Sequence, residues 1–214
     1  KYIIFFYFWY VNFPSSLIKD AVEAISNFPG IGKKTALRLS IYLLRNKKQA
    51  YNIADSIKKM VELTTYCDNC HNISKSMLCN ICNDTDRNKN EICIVEDIRD
   101  IIAIENTMQY KGHYHVLGGL ISPIEGVGPA ELNIDSLLKK IENQNVEEII
   151  FALCASMEGE TTSYYIYKKL MTLNIKITTI SKGISVGNEL EYTDQITLGR
   201  ALLNRYSFAQ TLNT

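Results

Sequence analysis

The chain has 214 residues, enough for one large domain or two to three small ones. Its hydrophobic content of 46% and charged content of 21% are those of an ordinary globular protein. Basic and acidic side chains number 23 each, so formal net charge is zero: whole-chain charge gives no support for nucleic-acid binding, and any basic surface must be local.

Residues 1–11 read Lys-Tyr-Ile-Ile-Phe-Phe-Tyr-Phe-Trp-Tyr-Val, a composition unlike anything after it. The stretch is shorter than the about 20 residues a helix needs to span a bilayer. It has no basic leader beyond Lys1 and no small-residue cleavage site, which argues against a signal peptide. We expect a non-native N-terminal extension, with the true protein beginning near Val11 or Asn12; a membrane-surface anchor is the lesser alternative.

Residues 12–60 read as a helix-hairpin-helix region. Pro14-Ser15-Ser16 is a helix-start signal, and Leu17, Ile18, Ala21, Val22 and Ile25 recur at helical spacing. Pro29 and Gly30 end that helix near Asn27, and a second runs over about 33–44. The connecting Phe-Pro-Gly-Ile-Gly-Lys-Lys (28–34) has a physical logic. Two glycines let the backbone turn sharply and approach a ligand closely. The helix that follows offers unpaired N–H groups and the positive end of its dipole to an anion. Lys33 and Lys34 add charge there, and Arg38 lies one turn on. Such a grip on phosphate needs no base contact. Arg45, Lys47, Lys48, Lys58 and Lys59 extend the positive charge. The bland alternative is a helical turn with a solvated charged face; the full string between two helices favours a nucleic-acid element. Ala50, Ile53, Ile57, Met60 and Val61 form a third helical stripe, expected to pack on the hairpin helices.

Residues 61–90 hold Cys67-x-x-Cys70, eight residues, then Cys79-x-x-Cys82, four of the six cysteines in the chain. Two such pairs can close a tetrahedral thiolate site around one zinc ion. The competing readings are two disulfides or four unrelated thiols. Disulfide frameworks belong to secreted chains, whereas this one reads as cytoplasmic. Four thiolates fill the shell, so a structural role is expected, with the unit acting as a rigid joint. His71 reads as a solvated turn residue rather than a further ligand. The polar run 84–90 reads as a linker or turn.

From residue 91 the periodicity changes. Short apolar runs at 92–96, 114–117, 148–153 and 176–180 alternate with helical stretches at 97–106, 134–141 and 161–173. This alternation argues for a parallel sheet covered on both faces, over residues 91–186. Residues 187–214 form a C-terminal segment with a helix from about Asp194. The fold class is therefore α+β and multidomain. In a parallel sheet, function sits at the carboxyl ends of strands. Glu96 follows the first strand, and Glu158 and Glu160 follow the third. Together they could bind Mg²⁺, or simply cap helices. Cys93 reads as core, Cys154 as a thiol near a strand end, and His115 as packed or hydrogen-bonded. No nucleophilic triad is supported.

Several motifs in one order now carry a resemblance: Phe-Pro-Gly-Ile-Gly-Lys-Lys-Thr-Ala (28–36), the four cysteines, Ile-Cys-Ile-Val-Glu (92–96), Tyr-His-Val-Leu-Gly-Gly (114–119), Glu-Gly-Glu-x-Thr (158–162) and Leu-Glu-Tyr-x-Asp (190–194). From Asn12 onward the chain resembles the RecR family of bacterial recombination mediators. The resemblance implies a helix-hairpin-helix domain, a four-cysteine zinc finger, a Toprim domain and a C-terminal segment. It implies a homo-oligomer, a tetrameric ring or a dimer, that clamps single- or double-stranded DNA. It implies action with RecO, and in some cases RecF, to help RecA replace single-strand binding protein at gaps. Lys34 and Arg38 match the family's DNA-contacting positions. Toprim enzymes hold Mg²⁺ with a strand-end Glu and an Asp-x-Asp; here the second element is Glu158-Gly159-Glu160. We therefore expect a non-enzymatic DNA-binding mediator, with Glu96, Glu158 and Glu160 docking a partner. A Mg²⁺-dependent Toprim nuclease or primase is the alternative, and a zinc scaffold without a DNA role is a third. Two departures stand out: residues 152–157 replace a more polar, Pro-containing segment, and Gln195 stands where an acid is common.

Overall fold

The computed structural model describes residues 15–205, apart from 182, 185, 186 and 188, together with Ser207. The aromatic stretch 1–11 lies outside the described residues. The chain divides into two compact units that meet in sequence between Thr64 and Thr65.

The first unit is helical. Helix α1 spans Ser16–Ser26, α2 spans Lys33–Arg45 and α3 spans Lys47–Leu63. Pro29 cannot continue α1, and Gly30 takes φ +77°, a left-handed turn that favours glycine. Ile31 N–H donates to the Phe28 carbonyl at 3.1 Å and closes the hairpin. Val22 of α1 and Ala36 and Ser40 of α2 are buried. The stripe on α3 departs from expectation. No α3 residue is buried, and Ile53, Ile57, Met60, Val61 and Leu63 are all exposed. A unit this small has too little surface to cover three apolar helix faces.

The second unit is built on a sheet. A short antiparallel hairpin, β1 (Thr65–Tyr66) with β2 (Ile73–Ser74), and the short helix α4 (Asn80–Asn83) carry the four cysteines. Then follow β3 (Asn88–Val95), α5 (Ile98–Glu105), β4 (Gly112–Val116), α6 (Ile134–Asn143), β5 (Glu148–Phe151), α7 (Met157–Leu170), β6 (Lys176–Thr179) and α8 (Gln195–Leu203). The four-stranded sheet runs β4-β3-β5-β6 and is parallel throughout. Alternate strand residues feed two cores, as the two-residue strand period requires. Ile92, Ile94, Ile149 and Phe151 pack with Leu137 and Ile141 of α6 and Ile166 and Leu170 of α7. On the other face Cys93, Val95 and Tyr114 pack with Ile101 of α5.

Two boundaries differ from the sequence reading. The run 84–90 is no free linker: β3 begins at Asn88, and Arg87 is 11% exposed, bidentate on Glu105 and bonded to the Gly112 carbonyl at 3.1 Å. Glu105 also accepts the Tyr114 hydroxyl at 2.7 Å. Helix α7 starts a turn earlier than the expected 161, because Ser156 caps it, accepting the Gly159 N–H at 3.1 Å.

The outer edge of β4 would be open in an isolated sheet, yet every β4 residue is buried. Its polar groups are taken from outside. Val116 N–H donates to the Cys70 carbonyl at 2.9 Å, and the Val116 carbonyl accepts from Asn133 Nδ2 at 3.1 Å. The Tyr114 carbonyl accepts from Lys140 Nζ at 3.4 Å. The cysteine-bearing segment is thus seated on the sheet rather than set apart as a separate joint.

Histidines line this seam. His115 is fully buried, and its Nε2–H donates to the Asn133 carbonyl at 2.7 Å. Burial pushes its pKa down to about 3, and burial also lowers His113 and His71. A folded-state pKa below the unfolded value near 6.5 gives stability that is full above that value and is lost as pH falls toward the folded one. We expect unfolding free energy to drop on acidification from pH 7 to pH 4.5, with His115 adding up to about 1.4 kcal/mol per pH unit. Urea denaturation across that range should show a shallower decline for His115→Gln. A profile parallel to wild type would contradict the assignment.

Candidate metal centre and nucleic-acid interface

The two Cys-x-x-Cys turns come together. The sulfurs of Cys67, Cys70, Cys79 and Cys82 all lie within 4.8 Å of one another, all four residues are buried, and none is in a disulfide. The Cys70 and Cys79 sulfurs are 3.5 Å apart. Four thiolates about 2.3 Å from a tetrahedral ion stand roughly 3.8 Å apart, so the donor set and its spacing fit one thiophilic divalent ion. Amide groups already point at the sulfurs: Cys79 N–H at Cys67 Sγ (3.3 Å), Cys82 N–H at Cys79 Sγ (3.4 Å) and Asn69 Nδ2 at Cys82 Sγ (3.2 Å). Such donors stabilise thiolate over thiol, and contacts with Cys70 and Cys82 hold Cys79 far below the usual thiol range. The four cysteines could hold a metal ion, and their chemistry is compatible with zinc.

His71 is not the solvated residue expected. It sits at φ +60° and is half-buried, its Nε2 2.8 Å from Ser136 Oγ. Ser136 donates onward to the Asn133 carbonyl at 2.9 Å, and the His71 and His115 rings meet edge to face at 5.2 Å. The imidazole is used to dock the first knuckle on α6 and β4.

The hairpin of the first unit leaves its cations free. Lys33, Lys34 and Arg38 are exposed and form no salt bridge among the described residues. Helix α2 has no side-chain cap and no acid in its first turn. Its first intrahelical bond is Ala36 N–H to the Gly32 carbonyl at 3.0 Å, so the N–H groups before it face outward. A Cβ on Gly32 would meet nothing within 4 Å, so packing does not require glycine there. Lys58 and Lys59 differ: they pair with Glu62 and Asp55 on their own helix and add little to a positive surface.

The Toprim-type acids sit where the topology places function. The order β4-β3-β5-β6 reverses between β3 and β5, and Glu96 and Glu158 follow those two strands. Their environments diverge. Burial raises the Glu96 carboxyl, helped by Asp100 and Asp97. The α7 N-terminus lowers Glu158 through its own backbone N–H and the Ser156 hydroxyl. Glu160 accepts from Arg200 of α8 at 3.1 Å. Among the described residues, only the four cysteines form a group of three or more His, Cys, Asp or Glu that could hold a metal ion; the three glutamates are not gathered in that way. Gly159 between the two acids is required: a Cβ would lie 2.1 Å from the Cys154 carbonyl oxygen. Among the described residues, no helix is long and apolar enough to cross a membrane. Sequence reasoning missed Arg87, Asn133, Lys140 and Arg200. Of these, only Lys140 leaves a signal, a lysine beside the apolar positions Leu137 and Ile141 of one helix.

Comparison with known proteins adds three family models: "RecR, helix-hairpin-helix" over residues 18–61, "Toprim domain" over 90–181 and "RecR, C-terminal" over 183–206. Among curated proteins, the chain is 55% identical over 202 residues to the recombination protein RecR of Flavobacterium johnsoniae, covering 94% of this chain and 98% of that protein. It is 52% identical to the protein of that name in Cytophaga hutchinsonii (92% and 98% covered) and 45% identical to that of Porphyromonas gingivalis (94% and 98% covered).

Removal of a bound metal tests the cysteine site. Purified protein is expected to carry one zinc per chain by elemental analysis. Cys79→Ser, or exhaustive chelation, should lower the unfolding free energy of the second unit by roughly 3 kcal/mol or more, because binding energy at such a site is folding energy. Metal-free protein that melts like the zinc-loaded form would refute the reading.

Proposed function

The chain belongs to the RecR family of recombination proteins, and on that premise we propose that it is a DNA-binding mediator of recombination and repair. It acts with a RecO partner, and with RecF where present, to let RecA replace single-strand binding protein on gapped DNA. The observation that carries this reading is the hairpin ahead of α2. Backbone N–H groups, an uncapped helix end and three cations without an ion pair among the described residues, Lys33, Lys34 and Arg38, converge on one exposed turn. That is the equipment for gripping a phosphate without reading a base. Gly32 fits the same reading, since an external backbone could approach where no internal atom does. Zinc holds the second unit together through Cys67, Cys70, Cys79 and Cys82. Glu96, Glu158 and Glu160 serve as a docking surface for a protein partner.

The exposed apolar stripe of α3 supports a homo-oligomer. Monomers rarely expose contiguous apolar patches of this kind without a partner, and Ile53, Ile57, Met60 and Val61 offer one. A Mg²⁺-dependent Toprim enzyme is the second reading, favoured by the Toprim match. Metal-dependent product that disappears with Glu96→Ala and Glu158→Ala would move the assignment to it.

The mediator reading is tested by RecA loading on DNA coated with single-strand binding protein, with and without RecO. Acceleration is expected only with both proteins present. In direct titrations, the Lys34→Ala, Arg38→Ala double variant should bind all DNA sequences more weakly. Its plot of log affinity against log salt should lose a slope of about 2, one phosphate contact for each cation. Gly32→Ala should weaken binding without lowering the melting temperature. Unchanged binding by the double variant at every salt concentration would refute the hairpin assignment. Dispersal of the oligomer by Met60→Glu with Val61→Lys, read by light scattering, tests the α3 interface.

A further inference from the structure

Lys140 is the anomaly of the second unit. Lysine is among the residues least often fully buried, yet this side chain is 7% exposed in the middle of α6. Among the described residues, no carboxylate pairs with it. Its ammonium reaches two neutral carbonyls, Asn69 O and Tyr114 O, both at the long distance of 3.4 Å. A buried charge so poorly paired is strongly destabilising unless a counter-charge lies close.

The counter-charge is at hand. Asn69 lies between Cys67 and Cys70, within the first knuckle. Four thiolates on one divalent ion leave a net charge of about −2 in a buried site. Burial lowers the Lys140 pKa, and the charges of Cys82, Cys70, Cys67 and Cys79 all oppose that lowering. Neighbouring Lys139 is exposed and shares none of these contacts. The lysine thus bridges the first knuckle, at Asn69, and the outer edge of β4, at Tyr114.

We propose that Lys140 is the built-in counter-ion of the four-cysteine metal site, holding the metal-loaded knuckle against the sheet edge by charge rather than by shape. It is a positioning residue: it touches neither metal nor sulfur, and acts through the Asn69 carbonyl and the local field. The role rests on the metal reading of the cysteines. It explains why a lysine is tolerated among Leu137, Ile141 and the strand residues they cover. It also makes metal retention depend on α6, an element far along the chain from the ligands.

The test uses the zinc-loaded full chain. Zinc release to excess chelator is followed with a metallochromic dye, and the cobalt-substituted protein reports the geometry of the site through its visible absorption. Lys140→Gln keeps a donor but removes the charge; Lys140→Met removes both. Each should release zinc at least about tenfold faster, the usual scale for loss of an outer-shell partner. Lys140→Arg should restore slow release, and Lys139→Met should match wild type. The tetrahedral cobalt spectrum should persist in Lys140→Gln, which shows that the site is still assembled. Release from Lys140→Gln at the wild-type rate overturns the proposal. So does equal impairment in Lys140→Arg and Lys140→Met, which would assign the effect to packing. Wild-type protein that retains no zinc would overturn the metal reading itself, and the Lys140 role with it. If Lys140→Met does not fold, the comparison of Lys140→Gln with Lys140→Arg decides alone.

Discussion

The second unit depends on how one strand edge is closed. A parallel sheet that ends at β4 presents a row of unpaired N–H and C=O groups, and such an edge invites pairing with another chain. Here four of the edge's polar groups are taken from outside the sheet: by the Cys70 carbonyl, the Asn133 amide, the Lys140 ammonium and the Arg87 guanidinium. None belongs to a strand, so the edge is finished without being extended. The Cys70 carbonyl is fixed in space only if the first knuckle is fixed. Two knuckles on a hairpin of two-residue strands and a four-residue helix have no core of their own beyond the four sulfurs and Ile81. A metal ion would supply the cross-link that such a small element cannot draw from burial. Cysteine cluster and sheet edge are therefore joined through the Cys70 carbonyl.

This arrangement shows where sequence reading stops. The four cysteines were legible because ligand spacing is local: two turns and a short gap determine that the thiols can meet. The parallel sheet was legible because a buried strand needs a continuous apolar run, as in Ile92-Cys93-Ile94-Val95, and its helices need a different period. The apolar stripe on α3 was legible as a stripe, but periodicity says only that a face is apolar, not what covers it. The seating of the knuckle on β4 was not legible. It joins residue 70 to residue 116 and residue 69 to residue 140 through backbone carbonyls, which carry no side-chain signature. The same holds for Arg87, which looked like part of a polar linker until Glu105 and the Gly112 carbonyl were found around its guanidinium.

The glutamates illustrate how one topology can serve binding or chemistry. The switch point between β3 and β5 places Glu96 and Glu158 beyond adjacent strands, as it would in an enzyme. Their side chains are then assigned different work. Glu96 is half-buried among Asp97 and Asp100, with burial raising its pKa, so it holds its charge less firmly than an ordinary glutamate. Glu158 sits in the first turn of α7, where backbone N–H groups favour the charged form. Glu160 already engages a guanidinium from α8. A carboxylate committed to arginine makes a weak metal ligand but a good element of a charged, partner-facing surface. Pairs whose environments push their pKa values apart mark functional sites generally; here the divergence suits recognition as readily as catalysis.

Charge neutrality over the whole chain and the proposed basic grip on DNA are compatible because ion pairing sorts the cations. Lys58 and Lys59 stand one helical turn from acids on α3 and are neutralised at short range. Arg87 is consumed inside the fold, and Lys140 is buried against the Asn69 and Tyr114 carbonyls. Lys33, Lys34 and Arg38 escape all of these fates, because no acid stands in the first turn of α2 and no salt bridge reaches them among the described residues. They sit at the end of a helix whose dipole has the same sign. Screening shortens the reach of such a patch to about 8 Å at physiological salt, so the cations act only on what touches the turn. On the proposed reading a polyanion would be gripped at its backbone, beside Gly32, where a Cβ would meet nothing within 4 Å. Net charge measures the sum of these populations, whereas the proposed grip depends only on where the unpaired cations stand.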